Sequence, residues 1–366
     1  MSINVSFCTV CMNRLPHLRR TLVKNIEQNK ALGNVEFVLL DYNSGDGLEN
    51  WVESNLMEYI QQGILKYYKT YEPIAFKLSH SKNMSLRLAK GNILCMVDAD
   101  NFAGDGYAEW VASVYEAKGT NTIITTLRRE DIPYRDQGGK LCFSRELLHS
   151  INGFDESLVG YGVEDVDLVR RAEQAGGKRY FLDHERFLYF IGHSMEERLK
   201  HHAISHLLKD IYLLNSKGVK ERMVLLLLFK DNTFTEVTFN FDHVKKDHLI
   251  LSYKGWVIKE NADLTGVYSI HGKELELHYQ TEPTKVIYKM EVLQLKECNT
   301  QLSPLVWTRI RRRNPAYLPL LMAFTECFNR RIYLRNEMNG IQVNRNGWGT
   351  GTVYLNFDKS NPIVIK

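Results

Sequence analysis

The sequence lacks any apolar run long enough to cross a membrane. A membrane-spanning helix needs roughly 20 predominantly apolar residues, and the longest apolar stretches, such as residues 223–229, are far shorter. The opening residues, MSINVSFCTVCMNR, also lack the basic segment, apolar segment and small-residue cleavage site of a signal peptide. We therefore expect a cytoplasmic protein whose contact with the inner face of a membrane is at most peripheral.

Cysteine is scarce and scattered. The chain has six cysteines, spread through segments that we predict as strands and helices, and such thiols are usually buried and reduced. Cys8 and Cys11 form a C-x-x-C on or just after a strand, with no helix placed to lower a thiol pKa. We therefore predict neither a disulfide framework nor redox or zinc chemistry at this pair.

Charge of one sign is not in excess. The 47 Lys and Arg residues against 43 Asp and Glu leave a net charge of +4. A polyanion partner would need clustered basic residues, so we expect no nucleic acid. The 25% charged and 44% hydrophobic residues are typical of a globular protein. A length of 366 residues suggests two domains.

Short apolar runs alternate with amphipathic helical patterns in the first part of the chain. Residues 5–10, 35–40 and 93–97 indicate strands buried on both faces, and a helical pattern follows the first of them at 15–26. This alternation predicts an α/β domain with a Rossmann-like, mostly parallel sheet and helices on both faces. We place this domain at residues 1–215.

The remaining residues, 216–366, have a different texture. Strand-like runs come close together and are separated by turn signals, with a helical insertion near 315–328 and a last strand near 352–357. We predict a β-rich accessory domain of unknown role. Trp256, Trp307 and Trp348 are candidates for stacking on a sugar, although tryptophan in β-rich domains is more often part of the core.

The turn after the first strand contains no glycine. Its sequence is TVCMNR at residues 9–14. A nicotinamide dehydrogenase has G-x-G-x-x-G at this point, and a sugar-nucleotide pyrophosphorylase has a Gly-rich phosphate loop there. Both classes are therefore poor matches.

Two carboxylates follow the third buried strand. Asp98, Ala99 and Asp100 form a D-x-D at its carboxyl end, where ligands of open α/β sheets bind. A divalent cation such as Mg²⁺ or Mn²⁺ would compensate their mutual repulsion. The alternative is a solvated turn with an aspartate that caps a helix.

A second acidic cluster follows a Gly-rich turn. Residues 160–167 read GYGVEDVD and lead into a helical pattern. The acids could simply interact favourably with the helix dipole. The glycines instead favour close approach of the backbone to a bound group, with Glu164 and Asp165 aimed into the same crevice as the D-x-D.

Taken in order, these segments resemble the GT-A glycosyltransferases, in particular the inverting family of bacterial polysaccharide and capsule enzymes. The resemblance covers residues 5–193, about half the chain. GYGVED is similar to the Gly-Trp-Gly-x-Glu-Asp segment of galactosyltransferase-type members, with Tyr161 in place of the usual tryptophan. The matching segments are 9–14, 41–46, 81–83, 98–100, 153–155 and 160–165.

The resemblance implies a nucleotide site and a role for each matching residue in it. Thr9 and the Asn13-Arg14 turn would line the nucleotide pocket, and Asp41 would bond the uracil edge. Lys82 and Asn83 would lie near the ribose and diphosphate, and Asp98 would hold the ribose or a metal-bound water.

The resemblance also implies a metal and a catalytic base. Asp100 would ligate Mn²⁺ or Mg²⁺ directly, and His193, which follows a predicted strand over 187–192, would be a further ligand. His184, His201 and His202 are rivals with less context. Asp165 would be the base, and Glu164 would bind the acceptor hydroxyl. Arg128, Arg129, Asp131 and Arg135 would lie in a mobile loop over the donor, or in an ordinary solvated loop.

We therefore predict a metal-dependent inverting glycosyltransferase of the hexosyltransferase type, acting in polysaccharide biosynthesis. Its partners would be a nucleotide-sugar donor, expected to be UDP-linked, and a glycan or glycolipid acceptor; a homo-oligomer stays open. The alternative is a non-catalytic glycan- or nucleotide-sugar-binding protein with a degenerate transferase domain. That alternative predicts loss of the D-x-D or of Asp165, and both are present.

Overall fold

The chain forms two compact units. The computed structural model describes residues 3–126, 139–214, 222–241, 256–257, 264–272, 274–280, 285–291, 307–340 and 342–366. The first unit comprises Met1–Ser194 together with Asn329–Lys366, and the second comprises Met195–Phe328. The predicted loop with Arg128, Arg129, Asp131 and Arg135 lies outside the described residues.

The strands lie in both units. In chain order they are β1 (Val5–Cys11), β2 (Val35–Tyr42), β3 (Leu65–Thr70), β4 (Ile93–Val97), β5 (Thr122–Thr125), β6 (Lys140–Ser144), β7 (Lys178–Phe181), β8 (Leu208–Leu214), β9 (Arg222–Phe229), β10 (Thr233–Phe241), β11 (Trp256–Val257), β12 (Leu264–His271), β13 (Glu274–Tyr279), β14 (Lys285–Glu291), β15 (Trp307–Ile310), β16 (Gly351–Leu355) and β17 (Ile363–Ile365).

The helices are mostly in the first unit. They are α1 (Leu15–Glu27), α2 (Leu48–Asn55), α3 (Met57–Gln61), α4 (Leu78–Leu88), α5 (Tyr107–Lys118), α6 (Arg145–Ser150), α7 (Glu164–Gln174), α8 (Met195–Leu199), α9 (Ala203–Leu207) and α10 (Tyr317–Asn339), with short 3-10 helices at Lys30–Leu32 and Glu185–Phe187. None of the helices in the described part of the chain is long and apolar enough to cross a bilayer.

The sheet of the first unit has parallel strands at its centre. Among the described residues its order is β17-β16-β3-β2-β1-β4-β6-β5-β7. The four strands β3, β2, β1 and β4 run parallel, so their carboxyl ends meet at one edge. On either side, β6 pairs antiparallel with β4 and β16 pairs antiparallel with β3. The predicted α/β class is confirmed.

The central strands are buried on both faces, as their apolar runs predict. Alternate side chains of β1 point to opposite sides: Phe7 and Cys11 pack in one core cluster, and Cys8 and Val10 pack in the other. Cys8 and Cys11 are free thiols buried in these cores, and burial raises the pKa of each far above its ordinary value.

The second unit is built on an antiparallel sheet. Its order among the described residues is β11-β10-β12-β13-β14-β15-β8-β9, and β9 also pairs with β10. A two-residue contact between β14 and β15 is parallel. The inner cluster includes Leu226, Leu228, Phe234 and Leu277. The predicted β-rich character is confirmed.

The observed division of the chain differs from the predicted boundary between residues 215 and 216. The last segment, Asn329–Lys366, belongs to the first unit, because β16 extends its sheet through the pairs Tyr354–Lys69 and Leu355–Tyr68. Periodicity predicts that a segment is a strand but not which sheet it joins, so the return of the chain was not predicted.

Candidate active site

A buried lysine joins the two acidic segments that the sequence singled out. Lys82, on α4, places its Nζ 3.1 Å from Asp165 Oδ1 and 3.9 Å from Asp98 Oδ1. The lysine side chain is 3% exposed, against 35% for Asp98 and 13% for Asp165. The structure therefore brings the D-x-D and the Glu-Asp segment together.

Three elements deliver these side chains. Asp98 follows the last residue of β4, and its backbone N–H donates to Gly139 O, which comes just before β6. Lys82 lies mid-way along α4, a helix with most of its residues buried. Glu164 is the first residue of α7, after the turn 160–163. Acids in the first turn of a helix also interact favourably with its dipole.

The local charges determine the protonation of the group. Burial alone would lower the pKa of Lys82, but the carboxylates of Asp165, Asp98 and Glu164 outweigh it and raise that pKa well above its usual value. The lysine is therefore charged at neutral pH. Burial raises the pKa of Glu164, and Lys82 opposes this rise.

Glu164 has unused hydrogen-bonding capacity. The residue is 7% exposed, and its Oε2 has no hydrogen-bond partner in the described part of the chain. A buried carboxylate oxygen without a partner costs free energy, and in native structures a catalytic role, a bound ion or an ordered water accounts for such a group.

The second aspartate of the D-x-D faces the predicted histidine. Asp100 Oδ2 lies 3.0 Å from His193 Nδ1, with the two side chains 14% and 10% exposed. Burial tends to raise the pKa of Asp100, but the hydrogen bond and charge of His193 reverse this and lower it. The predicted pair therefore lies together in the first unit.

The backbone explains how His193 reaches Asp100. The expected strand over 187–192 does not form; a 3-10 helix at Glu185–Phe187 is followed by a single antiparallel bridge between Asn101 and Phe190. The Ile191 N–H donates to Asp100 O at 2.8 Å. One bridge is enough to hold His193 beside the D-x-D.

The pair could supply two ligands to a metal ion. Neighbouring ligands of an octahedral cation with bonds of about 2.1 Å are about 3.0 Å apart, which fits the Asp100–His193 separation. Among the described residues no group of three His, Cys, Asp or Glu side chains could hold a metal. A cation here would need further ligands from a substrate or water. A carboxylate with an imidazole suits Mn²⁺ better than Mg²⁺.

The rival histidines have other surroundings or belong to the other unit. His184 packs edge-on against Trp110, with ring centroids 5.5 Å apart, and His201 and His202 belong to the second unit. His17, which sequence reasoning did not consider, lies edge-on to His193 at 5.9 Å between ring centroids. It lies in the first turn of α1, where the apolar periodicity predicts a helix but indicates no catalytic or binding role.

Thr9, Asn13 and Arg14 shape the turn between β1 and α1. Thr9 donates through Oγ1 to Val97 O at 2.8 Å, and Arg14 is the N-cap of α1. Asn13 has a left-handed φ of 56° and accepts the Gly45 N–H at 2.7 Å. Their nucleotide contacts stay predictions.

Asp41 is fully engaged with protein groups. Its carboxylate accepts bonds from Tyr67 Oη and the Ser44 N–H, both at 2.7 Å, and lies 3.3 Å from Lys69 Nζ. Burial raises the pKa of Asp41 against these interactions. The residue is 0% exposed, so a bond to a uracil edge would require these partners to be exchanged.

Asn83 is likewise a structural residue here. Its amide donates to Phe154 O and Glu156 Oε1, and its Oδ1 accepts the Phe154 N–H at 2.8 Å. It therefore ties α4 to the loop before α7 and does not face the crevice beside Lys82.

Two further residues support the D-x-D. Lys140 Nζ donates to Asn101 Oδ1 at 3.3 Å, and Asn101 Nδ2 donates to Asp100 Oδ1 at 2.9 Å. Both are almost fully buried. The lysine at the head of the apolar run KLCFS was the available signal in the sequence.

Trp348 is part of the core and not an exposed stacking platform. It is 6% exposed, lies under the guanidinium of Arg87 at 5.5 Å and meets the His149 ring edge-on. The side chains of Trp256 and Trp307 lie outside the described residues.

Comparison with known families supports the same segment. Residues 124–195 match the family model of the N-terminal domain of galactosyltransferase. The family that this model describes consists of galactosyltransferases. The matched segment contains Glu164, Asp165 and His193, so the predicted resemblance is confirmed over these residues. No curated relative matches the chain.

Several solved structures resemble part of the chain. The mannosyltransferase PcManGT from Pyrobaculum calidifontis, in complex with GDP-Man and Mn²⁺, shares 21% identity at a TM-score of 0.42 and aligns over 50% of this chain and 55% of that one. S. aureus TarS 1–349 shares 16% identity at a TM-score of 0.43 and aligns over 54% of this chain and 62% of that one. The catalytic domain of Drosophila β1,4-galactosyltransferase 7 shares 14% identity at a TM-score of 0.38 and aligns over 55% of this chain and 75% of that one. The chain thus spans less than two thirds of the length of PcManGT and of TarS 1–349.

Proposed function

We propose that the protein is a metal-dependent inverting glycosyltransferase that moves a sugar from a nucleotide-diphosphate donor to a hydroxyl of a glycan or glycolipid. The donor we expect is UDP-linked. The observation that carries the proposal is the placement of Asp165 3.1 Å from Lys82, which also faces Asp98 of the D-x-D. Asp165 and Glu164 lie within the residues that match the galactosyltransferase model.

On the donor side, Asp100 and His193 would hold the cation, for which their 3.0 Å separation is suitable. A bound divalent ion offsets the negative charge that develops on a leaving diphosphate. Lys82 supplies a further positive charge beside Asp98, and its burial keeps that charge poorly screened by water. Asn101 fixes the orientation of Asp100 through its amide.

On the acceptor side, Asp165 takes the proton of the acceptor hydroxyl. The hydroxyl oxygen then bonds to the anomeric carbon as the bond from that carbon to the diphosphate oxygen breaks, and the configuration inverts. Lys82 at 3.1 Å favours the ionised form of Asp165 that can accept this proton. Glu164 has a buried carboxylate oxygen that lacks a partner in the described residues. This oxygen would accept a hydrogen bond from a hydroxyl of the glycan acceptor.

Replacement of the base tests the proposal. In a screen of nucleotide-sugar donors and glycan acceptors, Asp165→Asn should lower the transfer rate by about 10²- to 10⁴-fold, the usual contribution of a general base. Nucleotide binding should be retained.

A matched control lies two residues along the same helix. Asp167 is paired with Arg171 at 2.6 Å, so Asp167→Asn makes the same chemical change next to the proposed base. We expect this variant to retain transfer once its folding has been verified by circular dichroism. Transfer by Asp165→Asn at the parent rate would show that the base is assigned wrongly.

A further inference from the structure

The turn before α7 has an unfavourable backbone conformation. Val163, the N-cap of the helix, has φ 77° and ψ −23°, and no side chain caps the helix there. A β-branched residue in the left-handed region is an outlier, because its Cβ crowds the backbone. Gly160 and Gly162 adopt φ 88° and 98°, which glycine tolerates. Strain of this kind persists only where the surrounding structure enforces it.

One side chain of α10 bonds this turn at two points. Asn329 accepts the Val159 N–H through Oδ1 and donates through Nδ2 to Gly162 O, both at 2.8 Å. The residue is 1% exposed. One bond holds Val159, the residue before the turn, and the other holds Gly162, the residue before Val163.

The chain around Asn329 also bonds the loop that leads into the turn. Asn336 donates to Asp155 Oδ2 at 2.8 Å. Asn344 donates to Phe154 O and accepts the Glu156 N–H at 3.1 Å. The returning segment therefore holds this loop at several points, and Asn329 is the contact that reaches the strained end.

We propose that Asn329 is a positioning residue that holds the turn 160–163 and thereby sets where Glu164 and Asp165 begin α7. The two bonds compensate the cost of the left-handed Val163. The first backbone bond across this N-cap, from the Asp167 N–H to Val163 O at 2.8 Å, depends on the same conformation. The meaning of the inference for catalysis rests on the proposed function, but the inference about the turn does not.

Hydrogen exchange tests the positioning without any assay of transfer. In Asn329→Ala the Val159 amide loses its direct partner. Exchange at the Asp167 amide is the informative readout, because Asn329 does not contact it. We expect both to exchange about tenfold faster, from the loss of two hydrogen bonds. Asn329→Asp, which preserves shape and the acceptor oxygen but removes the donor to Gly162, should accelerate exchange at Asp167 with less effect at Val159.

A second substitution separates positioning from a general loss of stability. Val163→Gly removes the left-handed penalty, so in that background Asn329→Ala should accelerate exchange at Asp167 by clearly less than tenfold. Additive effects, or an unchanged Asp167 amide in Asn329→Ala and Asn329→Asp, would overturn the proposal. Asn336→Ala, on the same helix but bonded to Asp155, is the control and should leave Val159 and Asp167 unchanged.

Transfer kinetics then link the turn to the chemistry. With a donor and acceptor in hand, Asn329→Ala should lower kcat at unchanged donor affinity, and Val163→Gly should partly restore kcat. Altered exchange with unaltered kcat would overturn the role of the turn in positioning the base. If no donor is ever transferred, the exchange results still decide whether Asn329 holds the turn.

Discussion

Removing the Lys82 charge gives the sharpest test of the electrostatics of the crevice. At an effective dielectric constant of 20, pairs at 3.1 and 3.9 Å attract by about 5 and 4 kcal/mol before desolvation is subtracted. Removing one partner of a buried ion pair costs about 3 to 5 kcal/mol. We therefore expect Lys82→Met to lose about that much unfolding free energy at pH 7.

The pH dependence of this loss follows from the pKa shifts of Lys82 and Glu164. The pKa of Lys82 is raised, so its stabilising contribution is complete below the ordinary lysine value of about 10.4 and is fully present at pH 7. Burial raises the pKa of Glu164 while Lys82 opposes the rise, so removal of the lysine raises it further. A raised carboxyl pKa destabilises the fold above the unfolded value of about 4.3 and has no effect well below it.

The deficit of Lys82→Met should therefore be largest near pH 7 and shrink towards pH 4. Urea unfolding at several pH values, followed by tryptophan fluorescence, measures it. Lys30→Met is the control: Lys30 pairs with Glu27 at 2.8 Å, and the two side chains are 39% and 44% exposed. Such an exposed pair should contribute little to the unfolding free energy. A Lys82→Met deficit that is absent at pH 7, or independent of pH, would refute the reasoning.

Three further substitutions follow from the site. Asp100→Ala should weaken UDP binding in the presence of Mn²⁺ and leave it unchanged in EDTA, which titration calorimetry can show; equal weakening in both would remove Asp100 from the metal site. Asn83→Ala should lower the unfolding free energy by about 2 to 3 kcal/mol, because two buried hydrogen bonds and one partly buried hydrogen bond are lost. Trp348→Ala should lower it by about 3 kcal/mol, and a neutral result in urea unfolding would contradict its place in the core.

Sequence patterns predicted the central strands and the location of the acidic segments well. Apolar runs that end in aspartate place Asp41 and Asp98 at the carboxyl edge of the sheet, and parallel pairing such as Cys11 with Asp41 makes that edge common to both. The approach of Asp165 to this edge is seen through Lys82, which lies 3.1 Å from Asp165 and 3.9 Å from Asp98.

The sequence could not indicate which polar side chains form hydrogen bonds with distant parts of the protein. Asp41 and Asn83 satisfy partners that lie 26 and 71 residues away along the chain, and no local pattern reports such contacts. Asn329 escaped notice for the same reason, since its bonds to the turn span 167 and 170 residues. Each of these roles depends on tertiary packing and not on periodicity.

The most direct test of the central claim is a calorimetric titration of UDP, GDP and NAD into the purified protein, with and without Mn²⁺ and then with EDTA. The account predicts that UDP binds when Mn²⁺ is present, that EDTA weakens this binding, and that NAD does not bind. Absence of binding by any nucleotide in the presence of Mn²⁺ would contradict a nucleotide-sugar transferase.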